Sequence, residues 1–195
     1  MAKGFSEEER ILINEQLLNS AEECWSIYGL KKTTVDELVK RVGISKGAFY
    51  LFYPSKELLF FKVLERIDER VKCKMLENAQ ASNEEPKQIF IHTVQELFLE
   101  IQKNPWLLNL QNGDYEHIIK KLPKEEIAQH LKKDEEGIAR LLTYLNIDHD
   151  SGFVSSALKS IFFTLLHKNE IGEDHFDQVI QLFIKSLANQ LFEEA

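Results

Sequence analysis

Along nearly its whole length this chain places apolar residues three and four positions apart, the interval at which side chains return to one side of an α-helix. Ile13, Leu17, Ala21, Cys24, Trp25 and Tyr28 do so first, and Gly29 follows where a left-handed cap would end the helix. Phe176, Val179, Ile180, Phe183, Ile184, Leu187 and Leu191 do so last. Many short strands would need frequent turn residues, yet 195 residues contain only 4 Pro and 8 Gly. Helix formers dominate, and the 44% hydrophobic content suffices for a core, so the expected fold class is all-α.

Between the first helix and residue 60 the punctuation becomes unusually informative. Thr34-Val-Asp-Glu37 is a capping box, in which the Thr34 hydroxyl accepts from the Glu37 amide while Glu37 reaches back. Behind it Val35, Leu38, Val39 and Val42 give a short helix one apolar face, and Gly43 ends it. Ser45 then caps a third helix, with Ile44 and Phe49 placed as a hydrophobic staple. Two short helices joined by a turn of about three residues have the spacing of a helix-turn-helix. The third helix ends near Tyr53-Pro54, and Ser55 starts a long fourth helix with Phe60, Val63, Leu64, Ile67 and Val71 on one stripe.

A helix that reads DNA keeps one face in the protein and offers the other to the major groove, its first residues nearest the bases. From Ser45 to Phe52, Ala48, Phe49 and Phe52 are placed to pack inward, leaving Lys46, Gly47, Tyr50 and Leu51 outside. Lys46 can donate to guanine edges or phosphate, Gly47 permits close backbone approach and Leu51 can touch thymine methyls. Tyr50 suits a phosphate, as does Lys56 in the first turn of helix four. Taken singly, Lys46 and Lys56 would read as solvated surface lysines and Tyr50 as a packed aromatic. Their joint placement points to DNA.

The run from Thr33 to Leu58 resembles the DNA-binding signature of the TetR family: a threonine-capped helix, a Gly-hydrophobic-Ser turn, a Tyr in the recognition helix and a Lys-Glu-x-Leu start to helix four. The resemblance covers about the first third of the chain. It implies an all-helical homodimer that reads palindromic operator DNA and acts as a repressor released by a small apolar or amphipathic ligand. By position it implies that Thr34, Ser45, Tyr50 and Lys56 meet phosphates, while Lys46, Gly47 and Leu51 lie nearest bases. Where relatives often have His before an aromatic residue, this chain has Phe52-Tyr53.

Charge fits an oriented contact. The formal net charge is -8, which disfavours non-specific coating of nucleic acid. Between Lys31 and Lys56, however, six basic residues face only Asp36 and Glu37, a local +4 that leaves -12 to the remainder.

The expected domains are residues 1–54 for the helix-turn-helix, 55–82 for the connecting helix and 83–195 for ligand binding and dimerisation, with the polar stretch Gln80 to Pro86 as the boundary. Helices are expected over Pro86 to Lys103, around Tyr115 to Leu122, and over Lys124 to Leu145, Ser151 to His167 and Glu173 to Phe192. The last two are expected to form a four-helix bundle with a second copy, because Leu182 and Phe183 broaden the final apolar face. Candidate pocket residues are Phe90, Phe98, Trp106, Leu110, Tyr115 and Phe162. A protein partner in place of the small ligand is the alternative, and an all-helical enzyme a weaker one, since no nucleophile elbow, P-loop or dinucleotide fingerprint occurs. No cofactor and no metal site are expected: the six histidines show no ligand spacing. Cys24 is expected in the core and inert, with Cys73 left open. No apolar run approaches a membrane span and the N-terminus lacks a secretory pattern, so a cytoplasmic protein is expected.

Overall fold

The computed structural model describes residues 5–103 and 113–193. Among the described residues the structure is helical: α1 (Glu7–Tyr28), α2 (Val35–Val42), α3 (Lys46–Phe52), α4 (Lys56–Ala81), α5 (Pro86–Lys103), α6 (Asp114–Lys121), α7 (Lys124–Tyr144), α8 (Ser151–Leu166), α9 (Lys168–Ile171) and α10 (Phe176–Glu193). The all-α expectation holds. None of the helices searched is long and apolar enough to cross a membrane.

Local chemistry sets the ends. Ser6 and Glu9 form a full capping box at α1, the Ser6 amide donating to Glu9 Oε2 at 2.7 Å and the Glu9 amide to Ser6 Oγ at 3.2 Å. Gly29 ends α1 with φ 77° but ψ 166°, an extended ψ in place of the left-handed cap expected. At α2 only half of the expected box forms. Thr34 Oγ1 accepts from the Glu37 amide at 3.2 Å, but the Glu37 carboxylate goes to Arg41, 3.2 Å away, because a guanidinium one turn on outcompetes a neutral amide.

Two compact units make up the chain, and the division falls inside a helix. The first comprises Met1–Ile67 with Asn112–Pro123, the second Asp68–Gln111 with Lys124–Ala195. Helix α4 is continuous through the boundary, and α6 belongs to the first unit although helices of the second flank it in sequence. The polar stretch at residues 80–86 links α4 to α5 inside the second unit.

In the first unit, α1 packs on α2 and α2 on α3. Leu17, Ala21, Cys24, Leu38, Phe49, Leu59 and Phe60 are fully buried there. Trp25 meets Phe60 edge-on with ring centroids 5.1 Å apart. In the second unit, α5 packs on α10, α7 on α8 and α8 on α10. Phe90, Val94, Val154, Leu165, Ile184 and Ala188 form its dry centre.

Candidate nucleic-acid interface

The helix-turn-helix is built by three caps. The Thr34 cap opens α2, and Gly43 closes it in the left-handed conformation, φ 76° and ψ 27°, its amide donating to the Val39 carbonyl at 2.9 Å. No atom lies within 4 Å of where a Gly43 side chain would begin, so the torsion, not space, calls for glycine. Ser45 then opens α3, its Oγ accepting from the Ala48 amide at 3.0 Å. Leu38 and Val39 of α2 and Ala48 and Phe49 of α3 are buried, which fixes the orientation of both helices.

What remains outside α3 is the expected quartet. Lys46 and Gly47 are exposed, Tyr50 is 49% exposed and Leu51 67%. A side chain on Gly47 would meet nothing nearer than Ser45 Oγ at 3.8 Å, so the fold itself does not require glycine there. Phe52 is half-buried, its ring under Phe5 at 5.8 Å and Arg10 at 5.3 Å. Thr34 and Ser45 are exposed at the starts of their helices.

Two of the candidate cations are engaged within the chain. The Lys46 ammonium lies 3.1 Å from both carboxylate oxygens of Asp36. Lys56 Nζ donates to the Leu30 carbonyl at 2.8 Å and the Thr33 carbonyl at 2.7 Å, so it braces the α1–α2 loop. Desolvation lowers the Lys56 pKa, opposed by Glu57 and Asp114. One of its three N–H donors remains beyond those two bonds. Arg41 pairs with Glu23 at 3.0 Å as well as with Glu37, further reducing the local positive charge.

Sequence reading missed how the loop before α2 is held. Asp114 is buried, and its Oδ2 accepts from Trp25 Nε1 at 3.3 Å and from the Leu30 amide at 3.2 Å. Thr33 Oγ1 donates to the Gly29 carbonyl at 2.9 Å. Three side chains, one of them 84 residues away, therefore set the backbone that delivers Thr34 to its capping position. An acid directly after the Asn112-Gly113 turn was the available signal, but sequence spacing cannot say which donors it finds.

The remaining candidates belong to other helices. Phe90 and Phe98 are buried on α5 and Phe162 is half-buried on α8, all in the second unit. Tyr115, also half-buried, lies on α6 in the first unit, and Trp106 and Leu110 fall outside the described residues. Cys24 is buried with its Sγ 3.9 Å from Glu37, and burial pushes the thiol pKa up, partly opposed by Arg41, while Cys73 is exposed. The second unit also gathers Asp68, His130 and Asp134, with ligand atoms within 4.8 Å of one another. The i,i+4 spacing of His130 and Asp134 on α7 was the overlooked sign. Lys72 already bridges both carboxylates, and Lys159 lies 2.8 Å from Asp134, so cations of the chain itself fill the place.

The family model described as "Bacterial regulatory proteins, tetR family" matches residues 17–63, which contain α2, α3 and their turn. The chain is 32% identical over 98 residues to the Nucleoid occlusion factor SlmA of Glaesserella parasuis, a match covering 50% of this chain and 44% of that protein. It thus spans less than half the length of that relative. A TetR-family transcriptional regulator from Pectobacterium atrosepticum superposes with a TM-score of 0.71 at 18% identity over 96% of both chains. Thermus thermophilus FadR, a TetR-family transcriptional repressor in complex with lauroyl-CoA, gives 0.68 at 17% identity over 92% of this chain and 93% of its own. These two likenesses concern the fold. The capped helix-turn-helix thus falls inside the segment that matches the N-terminal domain of the tetR family of bacterial regulatory proteins, and the described helices share the fold of TetR-family regulators.

Proposed function

We infer that this regulator is a homodimeric repressor that binds palindromic operator DNA through α3 and is released by an apolar or amphipathic small molecule. The observation that carries the DNA reading is the α3 face: Lys46, Gly47, Tyr50 and Leu51 stand outward on a helix whose other side is locked by Phe49. Lys46, Gly47 and Leu51 are assigned to bases, and Thr34, Ser45, Tyr50 and the remaining donor of Lys56 to phosphates. One such helix spans few base pairs, so two copies are needed for useful specificity. Exposed Phe153 and Phe163 on α8 and Leu182 and Phe183 on α10 support dimerisation through these helices, since apolar surface of that size is costly to leave in water.

Ligand release draws support from the fold shared with the lauroyl-CoA-bound FadR and from the aromatic residues Phe90, Phe98 and Phe162 of the second unit. Helix α4 carries the signal: it starts at Lys56 in the first unit and runs unbroken to Ala81 in the second. A ligand acts only if it prefers the state that does not bind DNA. The SlmA relatives favour a second reading, in which a protein partner takes the ligand's role.

A gel shift with DNA from upstream of the chain's own reading frame tests binding. Calorimetry with lauroyl-CoA as first probe, with and without bound duplex, tests release. Operator and ligand must weaken each other by the same factor, and a ligand that binds the DNA complex equally well would overturn this mechanism.

A further inference from the structure

The fold accounts for Asp36 as a first-turn acid of α2, but it does not account for its pairing with Lys46. Asp36 is the second residue of α2 and Lys46 the first of α3, so the turn brings the N-terminal ends of both helices together at this pair. Both side chains are open to water, 73% and 54% exposed, where an ion pair adds little to stability. At a surface that meets phosphate, a carboxylate lowers affinity for every sequence alike unless it meets a donor. In the major groove the bases offer such donors only as the exocyclic amines of cytosine and adenine.

We propose that Asp36 and Lys46 together read one C·G base pair, Lys46 donating to guanine and Asp36 accepting from the cytosine amine. The dimensions agree. The cytosine amine and guanine O6 are joined by an N–H···O bond about 2.9–3.0 Å long, and the Lys46 nitrogen lies 3.1 Å from the Asp36 oxygens. A donor and an acceptor thus face an acceptor and a donor at matching separation. The order along the groove selects the pair. Guanine N7 and O6 are adjacent acceptors followed by the cytosine donor, which suits a cation beside an anion. An A·T pair also sets an amine beside an acceptor, but its two acceptors are split by that amine and O4 lies against the thymine methyl, which crowds an ammonium, so the two adjacent acceptors of guanine make C·G the preferred pair. Lys46 contacts both Asp36 oxygens with the donors on one side of its ammonium, leaving others for guanine.

This inference rests on the DNA-reading function above, and the experiment separates the two. The full-length chain is used to select from a random duplex library, and bound sequences are read for wild type, Asp36→Ala and Lys46→Ala. Wild type should enrich a C·G pair at one position of each half-site and lose about 5- to 150-fold in affinity when that pair is changed. Asp36→Ala should abolish preference at that position while binding scrambled duplex more tightly than wild type does. Lys46→Ala should lose preference at the same position. A duplex with 2-pyrimidinone in place of that cytosine lacks the amine: it should weaken wild type more than Asp36→Ala, a difference that a merely structural ion pair would not produce. Thermal unfolding should be nearly unchanged in both variants, as expected of an exposed pair. An enriched motif whose C·G preference survives Asp36→Ala, or a variant that changes all sequences by one factor, overturns the pairing alone. A wild-type chain that enriches no sequence overturns the DNA-reading function with it.

Discussion

Replacing Asp114 by alanine should loosen the DNA-reading unit without touching its reading face. Its Oδ2 accepts from Trp25 Nε1 and from the Leu30 amide, and the residue is 6% exposed. A hydrogen bond to a charged acceptor is worth about 1.5–3 kcal/mol, so two bonds set a gross loss of about 3–6 kcal/mol. Alanine also recovers the desolvation cost of a buried carboxylate, which offsets part of this. A net loss of about 2–3 kcal/mol is expected. With a urea slope of about 2 kcal/mol per molar, the unfolding midpoint should fall by about 1 M. Trp25 fluorescence in a Trp106→Phe background reports the transition locally, because the lost bond is on its own indole. Asp114→Asn separates charge from geometry: both bonds end on one oxygen, which an amide carbonyl can replace, so about half of the loss should remain. Operator affinity should fall in the same order, since the Leu30 amide belongs to the loop that delivers Thr34. If Asp114→Ala unfolds at the wild-type midpoint, or Asp114→Asn is as damaging as alanine, the account of the loop is wrong.

Tyr53 supplies a pH test: its hydroxyl donates to Asn14 Oδ1 at 2.6 Å, and burial pushes its pKa up to about 12. The unfolded phenol titrates near 10, so this stabilisation is complete below about pH 10 and is lost as pH rises toward 12. Tyr53→Phe should cost about 1 kcal/mol at pH 7 and much less at pH 11; parallel urea midpoints for both proteins across that range would contradict this. Gly43→Ala should cost about 1–2 kcal/mol from the left-handed torsion alone, as thermal unfolding would register, and a neutral result would mean that the turn relaxes. Asp134→Ala leaves Lys159 and Lys72 without a shared carboxylate. A loss of about 2–3 kcal/mol is expected, less than for a fully buried pair because the two lysines retain 32% and 22% exposure. Zinc ions should leave the wild-type midpoint unchanged, whereas a rise would show that a metal displaces the ammonium groups.

The outward face of α3 was legible because short-range rules govern it. Caps at Thr34 and Ser45, the left-handed Gly43 and the alternation around Phe49 each act within one helical turn, and they leave Lys46, Gly47, Tyr50 and Leu51 outside. What escaped depends on contacts across the fold. Lys56, placed by sequence on the DNA surface, bends back to two loop carbonyls, and Asp36, counted only as a diluting acid, meets Lys46 across the turn. The residue 112–123 segment follows α5 in sequence yet belongs to the first unit, because Asp114 finds its donors there. Phe61, outside the stripe assigned to helix four, is 1% exposed: a helix that is covered on several sides buries more than one stripe. Glu37 shows the competition most simply, since the capping rule foresaw its backbone partner but not Arg41.

The most direct test of the central claim is the salt dependence of binding to a selected duplex and to a scrambled one of the same length, by fluorescence anisotropy. A dimer presenting two α3 helices should bind the selected duplex at least about 10³-fold more tightly. For both duplexes log K should fall linearly with log salt, each neutralised phosphate adding about -0.9 to the slope. Equal affinity for the two duplexes, or binding indifferent to salt, would contradict the assignment of the α3 face as a reader of DNA.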